Sequence, residues 1–188
     1  MEGIRLFVCI ELPAEIKKVL LGVQIRLRPL AKGFVSWARP EGLHLTLKFL
    51  GRVESKRLDA AAEALARACQ EVRPFELTVS GTGGFPNLKW PRVFWVGVQE
   101  PTGTLQKLQT QIETEFNAAD FVKEDRAFSP HLTLGRVKEP KGVADICREL
   151  EKITLEPMTF AANELVLMRS DLRPDGPAYT PMKKSTLQ

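Results

Sequence analysis

His44-Leu45-Thr46-Leu47 returns as His131-Leu132-Thr133-Leu134, and these two tetrapeptides hold both histidines of the 188-residue chain. The flanks extend the match. Leu50-Gly51-Arg52-Val53 follows the first copy, and Leu134-Gly135-Arg136-Val137 closes the second. Such self-similarity marks an internal repeat. Side chains alternate faces along a strand. His44 and Thr46 therefore share one face, as do His131 and Thr133, while Leu45, Leu47, Leu132 and Leu134 turn toward a core. Each copy is an apolar anchor that presents an imidazole and a hydroxyl together. Two such strands facing across a cleft place two proton carriers and two hydroxyl donors around one small anion.

The rest of the chain supplies a scaffold for that pair. Residues 4–12 read as a mostly buried strand, and Pro13 then suits the first turn of a helix carrying Ile16, Val19, Leu20, Val23 and Leu27. A second helix follows from Leu58, Ala62, Leu65 and Cys69, a third from Leu105, Leu108, Ile112 and Phe116, and a fourth from Val143, Ile146, Cys147 and Leu150. Strands are expected at 34–37, 44–50, 75–80, 93–98, 131–137, 155–160 and 164–169. Residues 81–86 read as a glycine-rich loop, 171–177 as a turn and 183–188 as a frayed tail. Strand, helix and strand pair recur twice with no Pro/Gly/Ser linker between them. The whole chain, 1–188, thus reads as one α+β domain of two similar lobes.

Composition narrows the function classes. Hydrophobic residues are 44% and charged residues 27%, as in an ordinary globular protein. The longest apolar runs fall far short of the roughly 20 residues a membrane span needs, and no cleavable leader pattern follows Arg5. Cys9, Cys69 and Cys147 are odd in number and far apart, which fits neither a disulfide framework nor a CxxC site. A cytoplasmic monomer with no membrane contact is the expectation. Lys plus Arg is 27 against 23 for Asp plus Glu, a net charge of +4 that tolerates an anionic partner such as RNA. No HExxH or GxSxG motif occurs, and Gly81–Gly84 lacks both the GxGxxG pattern and a P-loop lysine. No metal and no cofactor are expected.

Two opposed imidazoles suit general acid–base cleavage of a phosphodiester. One takes a proton from the attacking nucleophile and the other gives one to the leaving oxygen, with unperturbed pKa values of about 6.5. Threonine hydroxyls and a guanidinium would hold the phosphoryl oxygens. The residues alone leave the assignment of acid and base open.

Four stretches together resemble the two-histidine (2H) phosphoesterase superfamily, and within it the RNA 2′,3′-cyclic phosphodiesterases long called 2′-5′ RNA ligases. They are Arg5-Leu-Phe-Val-Cys-Ile-Glu-Leu-Pro13, Leu43-His-Leu-Thr-Leu-Lys-Phe-Leu-Gly51, Phe128-Ser-Pro-His-Leu-Thr-Leu-Gly-Arg136 and Ser170-Asp-Leu-Arg-Pro-Asp-Gly-Pro-Ala-Tyr179. The resemblance implies a bilobal fold, with two antiparallel sheet lobes related by a pseudo-twofold axis and outer helices around a central cleft. It implies metal-independent hydrolysis of RNA ends bearing a 2′,3′-cyclic phosphate to a 2′-phosphomonoester, with minor reversible 2′-5′ ligation. It assigns His44 as proton donor, His131 as proton acceptor, and Thr46, Thr133 and Arg136 as phosphate ligands. Simple alternation sets Arg136 opposite His131, so a bulge or a strand end at Gly135 is required. Lys48 and Arg126 are further candidates for RNA phosphates. Phe7, in a buried-looking strand, reads as core or as a base-stacking ring. The competing readings are a non-catalytic RNA- or nucleotide-binding module and another 2H reaction on a small cyclic nucleotide.

Overall fold

The alternating run behind Arg5 forms strand β1 (Gly3–Glu11), and Pro13 stands just before helix α1 (Ala14–Leu27) in the computed structural model, which describes residues 3–174 and 176–188. Then come β2 (Val35–Trp37), β3 (His44–Glu54), α2 (Leu58–Ala68), β4 (Phe75–Phe85), β5 (Val93–Gln99) and α3 (Thr104–Ala118). The chain closes with β6 (His131–Val137), α4 (Ala144–Leu150), β7 (Met158–Ala162), β8 (Glu164–Arg173) and β9 (Gly176–Thr186).

Two antiparallel sheets result. The first has the order β3-β1-β8-β9 and the second β2-β6-β5-β4-β7. Read from the histidine strand inward, they match: β3-β1-β8 in one and β6-β5-β4 in the other. The third strand is exchanged. β4 follows the first half of the chain yet joins the second sheet, and β8 follows the second half yet joins the first. Only Asn163 separates β7 in one sheet from β8 in the other.

Helices cover the apolar faces. Helix α2 packs on β8 and β9, and α3 touches both α2 and β3. On the other side, Gln24 of α1 is fully buried and its amide donates to the carbonyls of Ala38 and Leu134, both 2.8 Å away. The leucines of both tetrapeptides lie in the common core with Leu20, Leu65, Ile112 and Leu150. Burying each such side chain contributes roughly 1.5–3 kcal/mol.

Four expectations are corrected. The loop expected at 81–86 is strand: β4 runs on to Phe85 through a bulge at Gly81, whose φ is +69°. Glycine takes that conformation at no steric cost, so the glycine run bends the strand instead of ending it. The frayed tail expected at 183–188 is strand as far as Thr186. Residues Gly176–Thr186 pair with β8, and Leu187 is buried with its N–H on the Asn163 carbonyl. The turn expected at 171–177 shrinks accordingly, since pairing reaches Arg173 and Gly176, with Asp175 outside the described residues. The strand expected at 155–160 is shifted to Met158–Ala162.

Candidate active site

β3 and β6 belong to different sheets yet lie in contact with each other. Each carries the same irregularity. In β3 the pairing with β1 skips Leu47, so Thr46 faces Cys9 and Lys48 faces Val8. In β6 the pairing with β5 skips Leu134, so Thr133 faces Trp95 and Gly135 faces Phe94. A bulge inverts the alternation beyond it. Burial follows the inversion: Leu132, Leu134, Gly135 and Val137 are buried, while His131 and Thr133 are half-buried and Arg136 is exposed. Of the bulge or strand end expected at Gly135 it is the bulge that is present, and it returns Arg136 to the face of His131 and Thr133.

The bulge in β3 acts the same way but ends in a different residue. Phe49 takes the place that Arg136 has in β6, and it is 52% exposed. Lys48 is thrown into the interior. It is 2% exposed, its Nζ donates to Glu113 Oε2 at 2.6 Å and to the Val122 carbonyl at 2.9 Å, and so it is not available to RNA. Arg126 is exposed and bound to Glu124 through two hydrogen bonds of 3.0 Å.

His44 is held by aromatic rings. Phe7 of β1 stacks on it with centroids 4.7 Å apart, and Tyr179 of β9 meets it edge-on at 5.3 Å. Phe7 belongs to a small second cluster with Cys9, Val166 and Met168, against which Tyr179 packs. Its ring therefore supports the imidazole and is itself almost wholly covered. Burial, with the charge of Lys17 adding to it, lowers the His44 pKa to about 4, and the Glu41 carbonyl opposes this. Nδ1 is buried with no full hydrogen bond, and the Glu41 carbonyl is the acceptor that favours its charged form.

His131 is held differently. Phe85 lies edge-on to it at 4.8 Å, and its Nδ1 is 2.7 Å from the Ser129 carbonyl. A carbonyl only accepts, so Nδ1 carries the hydrogen and Nε2 is left as the basic nitrogen. Burial lowers this pKa as well, the Ser129 carbonyl opposes it, and Arg136 adds to the lowering. Arg136 also acts electrostatically on Tyr179, the ring against His44. One guanidinium thus stands within reach of both histidine settings. Sequence reading gave no role to Tyr179 or Phe85. The chain's single tyrosine sat unassigned in the fourth resembling stretch, and Phe85 was hidden in the supposed loop.

The model of the 2′-5′ RNA ligase superfamily matches residues 22–174, most of the chain and both tetrapeptides. The chain belongs to that superfamily. Superfamily relatives match it nearly end to end. An RNA 2′,3′-cyclic phosphodiesterase of Methanothermobacter thermautotrophicus is 34% identical over 96% of this chain and 97% of its own. One from Thermotoga maritima is 35% identical over 93% and 91%. Among solved structures of similar fold, TT0787 of Thermus thermophilus has a TM-score of 0.79 and 28% identity, covering 97% of each chain. The E. coli LigT complex with 3′-AMP has a TM-score of 0.78 and 28% identity, covering 100% of this chain and 99% of its own. The α+β architecture of two antiparallel sheets matches these neighbours. Among the described residues, no helix is long and apolar enough to cross a membrane.

Proposed function

We propose that this protein hydrolyses the 2′,3′-cyclic phosphodiester at an RNA end to a 2′-phosphomonoester by paired-histidine acid–base catalysis without a metal. One observation carries the reading. The two strands that hold His44-x-Thr46 and His131-x-Thr133 are in contact across the two sheets, with the same bulge in each.

In this mechanism water attacks phosphorus and loses a proton to His131 Nε2. The bond from phosphorus to O3′ breaks, and O3′ takes a proton from His44. The next cycle begins when His131 returns its proton to solvent and His44 regains one. Thr46, Thr133 and Arg136 hold the non-bridging oxygens while charge builds on them. Both imidazoles are depressed below their ordinary pKa, so the free site holds them neutral near pH 7. An anionic phosphate favours the imidazolium of the histidine beside it, so His44 takes up a proton from solvent as substrate binds. The same steps with an RNA 5′-hydroxyl in place of water would give 2′-5′ ligation: that oxygen bonds to phosphorus and loses its proton to His131, while O3′ leaves with a proton from His44.

The test is turnover of an RNA ending in a 2′,3′-cyclic phosphate in the presence of EDTA, with product analysis. The expected product is the 2′-phosphate. His44→Ala and His131→Ala should each lower kcat by roughly 10²–10⁴-fold. Full turnover in either variant, or loss of activity with EDTA, overturns the mechanism. A 3′-phosphate product overturns the assignment of the leaving oxygen.

A further inference from the structure

Leu50-Gly51-Arg52-Val53 does in β3 what Leu134-Gly135-Arg136-Val137 does in β6. In β6 the pairing skips Leu134 just before Gly135, and Arg136 comes to the histidine face. In β3 a second bulge skips Leu50, so that Phe49 faces Phe7 and Gly51 faces Leu6. Gly51 takes a φ of +68°, which glycine adopts at no steric cost. Plain alternation from Phe49 would turn Arg52 toward the core. With the bulge, Val53 is buried instead, and Arg52 stands exposed on the face of His44, Thr46 and Phe49. One device thus sets an arginine on each histidine strand, Arg136 five residues after its histidine and Arg52 eight after.

Arg52 stands directly across from Arg5 of β1. Arg5 is exposed too, and it shares the face of Phe7, the ring stacked on His44. Its charge acts on Tyr179, the other ring against His44. Like charges directly opposite in a sheet are destabilising. Every carboxylate of the four strands already has a cation: Glu11 and Glu164 share Lys184, Lys56 holds Glu54 and Arg169 holds Asp171. Among the described residues neither Arg5 nor Arg52 has a hydrogen bond or an ion pair. Glu2 and Asp175, next to these strands in sequence, lie outside the described residues.

Two facing guanidiniums on the histidine face suit a phosphate, which each can meet with two parallel hydrogen bonds. They lie two residues beyond Phe7 along β1, about 7 Å further from the imidazoles. We propose that Arg5 and Arg52 hold the phosphodiester joining the reacting 3′-terminal nucleotide to the one before it, so that the site takes an RNA chain in preference to a free mononucleotide. The proposal rests on the cyclic phosphodiesterase reading and adds a substrate class to it. Contacts of this kind position a strand without reading its sequence.

The experiment compares a nucleoside 2′,3′-cyclic phosphate with a trinucleotide bearing the same end, in the wild type and in Arg5→Gln, Arg52→Ala, Arg52→Lys, Arg52→Glu and Glu2→Gln. The wild type should have a KM about tenfold lower for the trinucleotide. Arg5→Gln and Arg52→Ala should each lose most of that advantage, Arg52→Lys should retain part and Arg52→Glu should abolish it. The mononucleotide KM and both kcat values should not move. The slope of log KM against log salt should fall in magnitude by about 0.7 in Arg52→Ala, as for one lost phosphate contact on a single strand. Relief of the like-charge pair should leave the Tm of Arg52→Ala at or above the wild-type value. Equal KM values for the two substrates in the wild type overturn the proposal, as does an undiminished preference in Arg52→Glu. A lower Tm in Arg52→Ala with both substrates affected alike makes the arginine structural and overturns it too. Glu2→Gln should keep the wild-type preference, and a preference that appears only in that variant means that Glu2 already neutralises the pair, which also overturns the proposal. Anisotropy of a labelled trinucleotide ending in a 2′-phosphate is read in parallel. If neither substrate turns over, the catalytic reading has failed, and the arginine pair is still judged by whether Arg52→Glu weakens that binding about tenfold or leaves it unchanged.

Discussion

Lys48 Nζ stands 2.6 Å from Glu113 Oε2, with both side chains out of solvent, and the pair fastens the strand of the first histidine to helix α3. The same ammonium reaches the Val122 carbonyl, and Glu113 accepts from the Glu124 N–H. Arg57 adds to the clasp, donating to the Ala119 and Asp120 carbonyls and lying 4.3 Å over the Phe121 ring. The clasped segment leads to His131. The strand bearing one imidazole thereby fixes the approach to the other.

Removing one member of this pair should cost far more than removing both. Lys48→Met strands a buried carboxylate, and Glu113→Gln strands a buried ammonium, each at a cost of about 3–5 kcal/mol. Lys48→Met with Glu113→Leu should recover much of that loss. Urea unfolding of the three variants checks it, and a double variant that merely sums the two singles refutes it.

Stability should fall as the solution becomes acidic. The folded pKa of His44 is about 4 against about 6.5 when unfolded. Between those values the unfolded chain holds a proton that the folded chain does not. Stability is therefore fully present above pH 6.5, declines as pH falls and levels off below about 4, a loss on the order of 3 kcal/mol. His131 contributes in the same direction. Denaturation of the wild type and His44→Gln at pH 7.5 and pH 5 measures it. The variant should show a smaller drop, and an equal drop in both would count against the buried neutral imidazole.

Burial chiefly lowers the His131 pKa, and Arg136 should add to that lowering. Its positive charge lowers the imidazole pKa, so Arg136→Gln should raise it. The shift is read by NMR titration of the imidazole protons in the free protein. An unchanged or lower pKa contradicts the placement of the guanidinium on the histidine face.

The bulge in β6 should tolerate no side chain at Gly135. A Cβ there would lie 2.8 Å from Val35 Cγ1 and 3.0 Å from Trp37 Cε3, both held in β2. Gly135→Ala must shift β2 or the bulge, and either displaces Arg136. The expectation is a lower Tm together with a rise in KM for a cyclic phosphate substrate. Wild-type values for both would show that the strand absorbs the methyl group without moving.

What the sequence conveyed well was local and periodic. The repeated tetrapeptide, the four apolar helix stripes and the strand behind Arg5 are each set by neighbours a few residues apart. The need for a bulge before Arg136 was legible because alternation is a strict rule. What failed depended on partners far along the chain. β9 is polar and carries Pro177, Pro181 and two lysines, which suits the exposed edge of a sheet and reads as a tail until β8 is beside it. The stretch 81–85 has glycines that signal a turn, yet β5 pairs with it on to Phe85. Lys48 looked solvent-bound because nothing nearby reveals a bulge that turns it inward or a carboxylate on α3 to receive it.

The exchange of β4 and β8 between the sheets has a mechanical consequence. A chain severed between β4 and β5, near Leu88, leaves its first piece with β4 but without the β8 that flanks β1, and its second piece with β8 but without the β4 that flanks β5. Neither piece can close its own sheet, so the two must fold as partners. The crossing at Asn163 is a single residue whose carbonyl accepts from the Leu187 N–H, so the last strand of one sheet runs straight into a central strand of the other.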